Sequence, residues 1–181
     1  MNDNGTWQYI STDNDLNNSD SLVTNPINFH TSQGATFLVK SNVFNVGVYL
    51  NHNKWIFEPH KSSEVNPEYR FESKLHNGYA MMLTEVTEIN LENMKGIALH
   101  NAQKAASDAK LTHSEYRIVN NKKVLCLTIK GTLEGIKFVY FGYYYSNPNG
   151  TIQIVAYGSE NMFKESFKEW EDFLNGFTVI N

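Results

Sequence analysis

The stretch that most restricts how this chain can fold runs from residue 135 to residue 158, GIKFVYFGYYYSNPNGTIQIVAYG. Successive side chains of a β-strand point to opposite faces of the sheet. Aromatic or apolar side chains then occupy both faces of this stretch, with Phe138, Tyr140 and Tyr144 on one face and Val139, Phe141, Tyr143 and Tyr145 on the other. A strand that is apolar on both faces is typical of a sheet covered on both sides. We therefore interpret the stretch mainly as the inside of a sheet, with a surface for a partner or a small ligand as the alternative.

The aromatic stretch also contains a predicted hairpin whose tip is a candidate partner site. Asn149-Gly150 is a strong signal for a tight turn between two antiparallel strands. Asn120-Asn121, a pair of residues that tolerate positive φ, predicts an earlier turn between strands. Tyr143, Tyr145 and Asn147 lie near the Asn149-Gly150 turn, where we expect the strands to extend beyond the helices that cover them. Tyr49, on the polar-alternating side of NVGVYLNHN, is a second exposed candidate. Because tyrosine is favoured at interfaces, these four residues are the predicted partner-binding site, and Tyr143→Ala with Tyr145→Ala should weaken binding without lowering the thermal midpoint.

Two segments have the periodicity of helices rather than strands. The first begins after Asn90, a predicted N-cap, and places apolar residues at a spacing of three to four, at Leu91, Met94, Ala98, Ala102, Ala105 and Ala109. The second opens at Ser159, ends at a predicted C-cap glycine, Gly176, and carries Phe163, Phe167, Trp170 and Leu174. The charged residues of this second helix are predicted to form its solvated face, with Lys168 and Asp172 as an i,i+4 pair: Lys164, Glu165, Lys168, Glu169, Glu171 and Asp172. Runs of strands otherwise fill the chain, so the pattern predicts an α+β fold. We expect one central, mainly antiparallel sheet flanked by helices near residues 90–110 and 159–175, an α/β/α sandwich.

The N-terminal residues differ from the rest in composition. Residues 1–30 are dominated by Asn, Asp, Ser and Thr, which provide too little apolar surface to offset the entropy of ordering. The sequence thus predicts a flexible leader or linker over residues 1–30, with Trp7, Tyr9 and Ile10 as a possible docking strand. Residues 31–181 form the single predicted domain, which is within the usual size range.

Charge and hydropathy exclude several classes of function. The chain has a net charge of −4, and its longest basic run is Lys122–Lys123. Nucleic-acid binding needs cations to neutralise phosphates, so the sequence predicts no nucleic-acid partner. It contains no apolar segment approaching the roughly 20 residues that span a bilayer, and no signal peptide. We therefore expect a soluble chain of bacterial type, cytoplasmic by default and extracytoplasmic if a targeting segment has been removed.

The residues that usually carry chemistry are scattered. The only cysteine, Cys126, alternates within VLCLTI and is predicted to be a buried structural thiol. The six histidines show no metal-ligand spacing, and Glu85 and Glu88 precede a helix whose dipole favours acids there. We predict no catalytic residue, no cofactor and no metal.

With its elements in this order, the chain resembles the PsbP-like superfamily. The resemblance covers about residues 44–179 and rests on element order, on NKWIFEP around Trp55, and on the helix that ends in WEDFLNGFTV. The superfamily includes the PsbP extrinsic subunit of photosystem II and a nuclear import factor that binds the GTPase Ran. The resemblance implies a central antiparallel sheet flanked by helices and a non-catalytic role in a larger assembly. None of the family's binding residues matches a position here, and the Asn-rich leader departs from the pattern.

Three functions remain open at this point. The favoured one is a non-enzymatic accessory or protein-interaction domain. An alternative is a module that binds a small apolar ligand in a cavity lined by Met81, Met82 and Met94. The other is a hydrolase that uses Glu85 or a loop histidine.

Overall fold

The fold was analysed in a computed structural model of the chain, which describes residues 27–59 and 67–180. Thirteen elements follow one another in this part of the chain. In order they are β1 (Asn28–Phe29), β2 (Phe37–Lys40), β3 (Val46–Leu50), β4 (Trp55–Pro59), β5 (Tyr69–Ser73), β6 (Tyr79–Glu85), α1 (Leu91–Ala105), β7 (Lys110–Val119), β8 (Lys122–Leu133), β9 (Ile136–Asn147), β10 (Gly150–Ser159), α2 (Glu160–Leu174) and β11 (Phe177–Val179). The predicted docking strand at Trp7, Tyr9 and Ile10 and the predicted linker over residues 11–26 lie outside the described residues.

The strands form two sheets rather than the single one expected. The main sheet has eight strands in the order β1-β7-β8-β9-β10-β6-β5-β4, and every pairing is antiparallel except that of β1 with β7. A small sheet has the order β11-β3-β2 and joins the C-terminal strand to an early hairpin. The prediction of a mainly antiparallel α+β fold is confirmed, and the prediction of one sheet is wrong. The pairing of Phe177 with Val48 joins residues far apart in sequence, which local patterns do not reveal.

Tight turns join the central strands of the main sheet. Asn120 and Asn121 connect β7 to β8 with φ angles of 46° and 64°, as predicted from the tolerance of Asn for this region. Between β9 and β10, Asn147 pairs with Gly150, so the two loop residues are Pro148 and Asn149. The predicted hairpin is present, and its turn lies one residue earlier than Asn149-Gly150 suggested.

Both predicted helices are present with their predicted N-caps. The Asn90 side chain accepts a hydrogen bond from the backbone N–H of Glu92, and the Ser159 side chain accepts one from the N–H of Met162. At the other end of α2 the C-cap is Asn175, not Gly176. In the described part of the chain, the glycines with positive φ are Gly135 and Gly150, so Gly176 has another role.

Alternate side chains of β9 belong to different hydrophobic clusters. Phe141 and Tyr143 pack in a cluster with α2, where the Phe141 ring lies 5.4 Å from the Phe167 ring. Tyr144 packs in a second cluster with the buried face of α1, which consists of Met94, Ala98 and Ala102. Both faces of this strand are therefore apolar and packed. The interpretation of the aromatic stretch as mainly the inside of a sheet is confirmed.

The predicted leader and domain meet at a short ordered strand. Asn28 and Phe29, within the range assigned to the leader, form β1 and pair with Ile118 and Val119. The Phe29 ring lies 4.7 Å from the Arg117 guanidinium, a cation–π contact that holds this strand against the edge of β7. Residues 28 and 29, which the sequence assigned to the leader, therefore pair with the main sheet.

Candidate binding surface

The structure places Tyr143, the first predicted partner residue, in the core. Only 2% of its surface is exposed, so it is not available to a partner at the hairpin tip. Its hydroxyl accepts a hydrogen bond from Arg117 Nη1 at 2.8 Å and donates one to Asn175 Oδ1 at 2.9 Å. Burial raises the pKa of the Tyr143 phenol well above its ordinary value, so it remains a neutral donor. The exposed position predicted for Tyr143 is wrong, because β9 continues under α2 as far as this residue.

Removing the hydroxyl of Tyr143 should therefore destabilise the fold. Tyr143→Phe leaves Arg117 and Asn175 without one hydrogen-bond partner each in a buried setting. We expect the free energy of unfolding to fall by about 1–3 kcal/mol, as measured by urea denaturation. Tyr145→Phe provides the control, since the Tyr145 hydroxyl accepts only a long bond of 3.4 Å from Asn147. Equal stability of the two variants would contradict a structural role for the buried hydroxyl.

The other three predicted residues are half-buried and do not form one surface with Tyr143. The Tyr145 ring lies 5.2 Å from the Phe177 ring, and the Asn147 side chain accepts a hydrogen bond from the backbone of Asn149 within the turn. Tyr49 lies in β3 of the small sheet and donates its backbone N–H to the carbonyl oxygen of Gly176. Tyr145 and Asn147 are adjacent, as predicted, but both are engaged in local contacts.

The charged face predicted for α2 is solvated except at one residue. Lys168 and Asp172 form the predicted i,i+4 pair at 2.9 Å. Glu171, by contrast, is only 6% exposed and accepts a hydrogen bond from Arg117 Nη1 at 2.8 Å. The prediction that Glu171 faces solvent is wrong, because the helix turns this carboxylate toward the cation buried on β7.

An aromatic surface that the sequence did not indicate crosses three neighbouring strands. Tyr140 on β9 lies directly opposite Tyr157 on β10, which lies directly opposite Tyr79 on β6. The Tyr157 ring is 5.8 Å from each of the other two rings, and that of Phe138 is 4.8 Å from that of Tyr140. We call these four residues, Phe138, Tyr140, Tyr157 and Tyr79, the tyrosine row.

The tyrosine row lies on the same face of the main sheet as α1, and its Tyr140 packs against the cluster under α1. Leu111 and Ile129, opposite Tyr140 on the next strands, belong to the cluster under α1. In the other direction, directly opposite residues continue the line from Tyr79 on β6, which is 37% exposed, through Glu72 on β5. The line ends at Ile56 on β4, which is 49% exposed. The row therefore runs from the edge of α1 onto an open part of the sheet.

The edges of the row are polar, and two of its hydroxyl groups have raised pKa values. Burial raises the pKa of Tyr140 and is also the main cause of the raised pKa of Tyr157, which the nearby Arg70 lowers in part. Glu72, which lies directly opposite Tyr79 on β5, binds His76 Nδ1 at 2.8 Å. Exposed aromatic rings with a polar rim are typical of protein interfaces.

A periodic pattern could have indicated only the two members of the row that lie on β9. Phe138 and Tyr140 were assigned to one face of β9, which is correct. Their alignment with Tyr157 and Tyr79 depends on the register of three strands, and β6 precedes β9 by the whole of α1, β7 and β8. The sequence contained the turn that fixes the β9–β10 register, but nothing that pairs β10 with β6.

The described residues contain no cluster of three or more His, Cys, Asp or Glu side chains that could hold a metal. Cys126 is fully buried, as predicted, and burial raises the pKa of its thiol to about 12. Ser41 donates a hydrogen bond to Glu68 Oε2 at 2.9 Å and contacts Thr84, but it is only 3% exposed. This hydroxyl–carboxylate group links the end of β2 to β6.

No protein-family model matches the sequence, and no curated protein matches it. Comparison with solved structures does identify the fold as PsbP-like. The solution structure of cyanobacterial PsbP (CyanoP) from Synechocystis sp. PCC 6803 matches with a TM-score of 0.61 and 12% identity, over 90% of this chain and 98% of that one. A protein of unknown function from Pseudomonas aeruginosa matches with a TM-score of 0.48 and 9% identity, over 80% of this chain and 96% of that one. At these identities the likeness shows the fold alone, and it confirms the predicted PsbP-like architecture.

Neither helix of the described chain is long and apolar enough to cross a membrane.

Proposed function

We propose that this chain is a non-enzymatic accessory domain that binds a protein partner through the tyrosine row. The observation that carries the proposal is the alignment of Tyr140, Tyr157 and Tyr79 across three strands, with Tyr79 exposed. Tyrosine contributes a large apolar ring and a hydrogen-bonding hydroxyl at little conformational cost, which is why interfaces are enriched in it. We propose that the main sheet is the centre of an α/β/α sandwich and that α1 covers only part of one face of this sheet.

The positions of the methionines favour this function over a ligand cavity. Met82 is fully buried in the cluster that contains α2, whereas Met94 is fully buried in the cluster that contains α1. Neighbouring residues of a strand point to opposite faces, so Met81 and Met82 do not line a common space. Met81 packs with Met94 in the cluster under α1, so the three residues proposed as an adaptable lining are divided between the two faces of the main sheet.

The proposed hydrolase residues do not form a catalytic group in the described chain. Glu85 ends β6, and its backbone pairs with Thr151 at the start of β10. His52 lies on the exposed turn between β3 and β4, and His60 lies outside the described residues. A general base must lie within hydrogen-bond reach of the group that it activates, and neither Glu85 nor His52 is arranged in this way. The resemblance to PsbP-like proteins, with their mostly non-catalytic roles, agrees with a binding function.

The proposal predicts that the row, and not exposed aromatic surface in general, captures the partner. Tyr79→Ala with Tyr157→Ala removes two adjacent rings and should weaken capture at least tenfold, because truncating interface hot spots typically costs about 2 kcal/mol or more. The tagged chain is used as bait in a lysate of its source, and captured proteins are quantified by mass spectrometry.

Phe37→Ala is the matched control for this experiment. Phe37 is 43% exposed and lies on β2 of the small sheet, away from the row. Circular dichroism must show that all three proteins have similar thermal midpoints. A captured protein that is lost with the row variant and retained with Phe37→Ala supports the proposal. Equal capture by the wild type and both variants overturns it.

A further inference from the structure

An open cleft of about 450 Å³ lies where the ends of β7, β8 and β9 approach the start of α2. Its lining includes three lysines, Lys110, Lys130 and Lys137, and two carboxylates, Asp108 and Glu160. The whole chain carries a net charge of −4, so this concentration of cations is a local exception. The tyrosine row does not depend on these charges.

The strand register brings the lysines together at a cost in stability. Lys110 on β7 lies directly opposite Lys130 on β8, and Lys137 on β9 lies directly opposite Thr132 on β8. Residues directly opposite on neighbouring strands share a face, and like charges in this position destabilise a sheet. The register of the sheet therefore places Lys110 and Lys130 next to each other although their like charges repel.

A bulge in β7 adds a hydroxyl to the same cleft. The register of β7 against β8 shifts between Leu111 and His113, which leaves Thr112 as the extra residue. A β-bulge changes the direction in which a side chain points and often lies next to a functional site. Thr112 lines the cleft, and its hydroxyl donates to the carbonyl oxygen of Thr128 at 3.1 Å.

The two carboxylates of the cleft already have partners. Asp108 accepts a hydrogen bond from the backbone N–H of Thr132 at 2.8 Å, which lowers its pKa. Glu160 binds Lys130 at 3.1 Å and lies 3.8 Å from Lys164. The hydrogen bond from Lys130 is the main cause of the lowered pKa of Glu160. Among the described residues, Lys110 and Lys137 form no ion pair with a carboxylate, so no carboxylate neutralises their positive charges.

We propose that this cleft binds a phosphate-type oxyanion between Lys110 and Lys137, with Lys130 at its inner side. A dianion relieves the repulsion between Lys110 and Lys130 and supplies the negative charge that the two unpaired lysines lack. Compact ammonium groups bind phosphate as point charges and do not require a fixed fork of donors. The site shares Phe138 with the proposed partner surface, whereas none of its three lysines belongs to the tyrosine row.

Titration with inorganic phosphate at low ionic strength tests this assignment. In ¹H–¹⁵N spectra of the full chain we expect saturable shifts of the Lys110, Thr132 and Lys137 amides. Lys110→Gln with Lys137→Gln should raise the Kd about tenfold or more, since each tenfold corresponds to about 1.4 kcal/mol. Lys74→Gln with Lys54→Gln removes the same charge outside the cleft and should leave the Kd within about twofold of the wild type. A parallel titration with phenyl phosphate distinguishes a free ion from an esterified phosphate as the ligand. If inorganic phosphate binds as well as phenyl phosphate, the ligand is a free ion, whereas tighter binding of phenyl phosphate indicates an ester.

Thermal unfolding provides a second readout that does not require binding in the variant. Without phosphate, Lys110→Gln should raise the thermal midpoint at low salt, because it removes one of two opposed charges. Phosphate should raise the midpoint of the wild type and not that of the Lys110, Lys137 variant. Linear, unsaturable shifts, or shifts that persist in that variant, overturn the site.

Discussion

Gly176→Ala should strongly destabilise this fold, unlike Gly96→Ala, the other glycine-to-alanine substitution that we propose. A Cβ built at Gly176 would overlap the carbonyl oxygen of Tyr49, whose backbone N–H donates in turn to the Gly176 carbonyl oxygen at 2.8 Å. Both groups that would have to separate are backbone, so no side chain can move to make room. We expect a loss of about 4 kcal/mol or more in the free energy of unfolding, or failure to fold, as measured by urea denaturation.

Gly96→Ala is the matched control for this substitution. Gly96 lies within α1, and a Cβ there would meet no atom within 4 Å. Alanine in an exposed helical position loses less conformational entropy than glycine, so this variant should gain about 0.5–1 kcal/mol. If Gly176→Ala were as stable as Gly96→Ala, the close approach between the end of α2 and β3 would not exist.

The role of Gly176 shows where reasoning from sequence reaches its limit. Its position after the periodic residues of α2 predicted a C-cap, a role that depends only on neighbours in the chain. In the structure the C-cap is Asn175, and the glycine is required by Tyr49, which lies more than a hundred residues earlier. The small sheet that creates this contact was missed for the same reason.

Features determined by local chemistry were predicted well. The N-caps at Asn90 and Ser159, the turn at Asn120 and the burial of Cys126 each depend on residues within a few positions of one another. The tyrosine row depends instead on how β6 pairs with β10, which follows from the topology of the whole sheet. The candidate site was therefore less predictable than the helices and hairpins that position it.

Arg117→Met should cause the other large loss of stability, because it removes the nearer cation of a buried carboxylate and leaves Glu171, among the described residues, only Lys168, at 3.9 Å. Arg117 donates to Glu171 at 2.8 Å and to the Tyr143 hydroxyl at 2.8 Å, and both acceptors are buried. Breaking a buried ion pair by removing one partner typically costs about 3–5 kcal/mol, since the remaining charge has lost both water and its partner. We expect a loss of about 3 kcal/mol by urea denaturation. Lys168→Met, which breaks an exposed pair with Asp172 on the same helix, should cost less than about 1 kcal/mol.

Combining Arg117→Met with Glu171→Leu tests whether the unpaired charge is the cause. Replacing both members of a buried pair with apolar side chains is often neutral, so the double variant should be more stable than Arg117→Met alone. The Tyr143 hydroxyl keeps its bond to Asn175 Oδ1 in both variants, which isolates the carboxylate as the difference between them. If the double variant is no more stable than Arg117→Met, the loss arises from the other contacts of Arg117, its pair with Glu115 and its packing against Phe29, and not from the charge of Glu171. That result would change the role of Arg117 from the counter-ion of Glu171 to a residue that anchors β1 and neutralises Glu115.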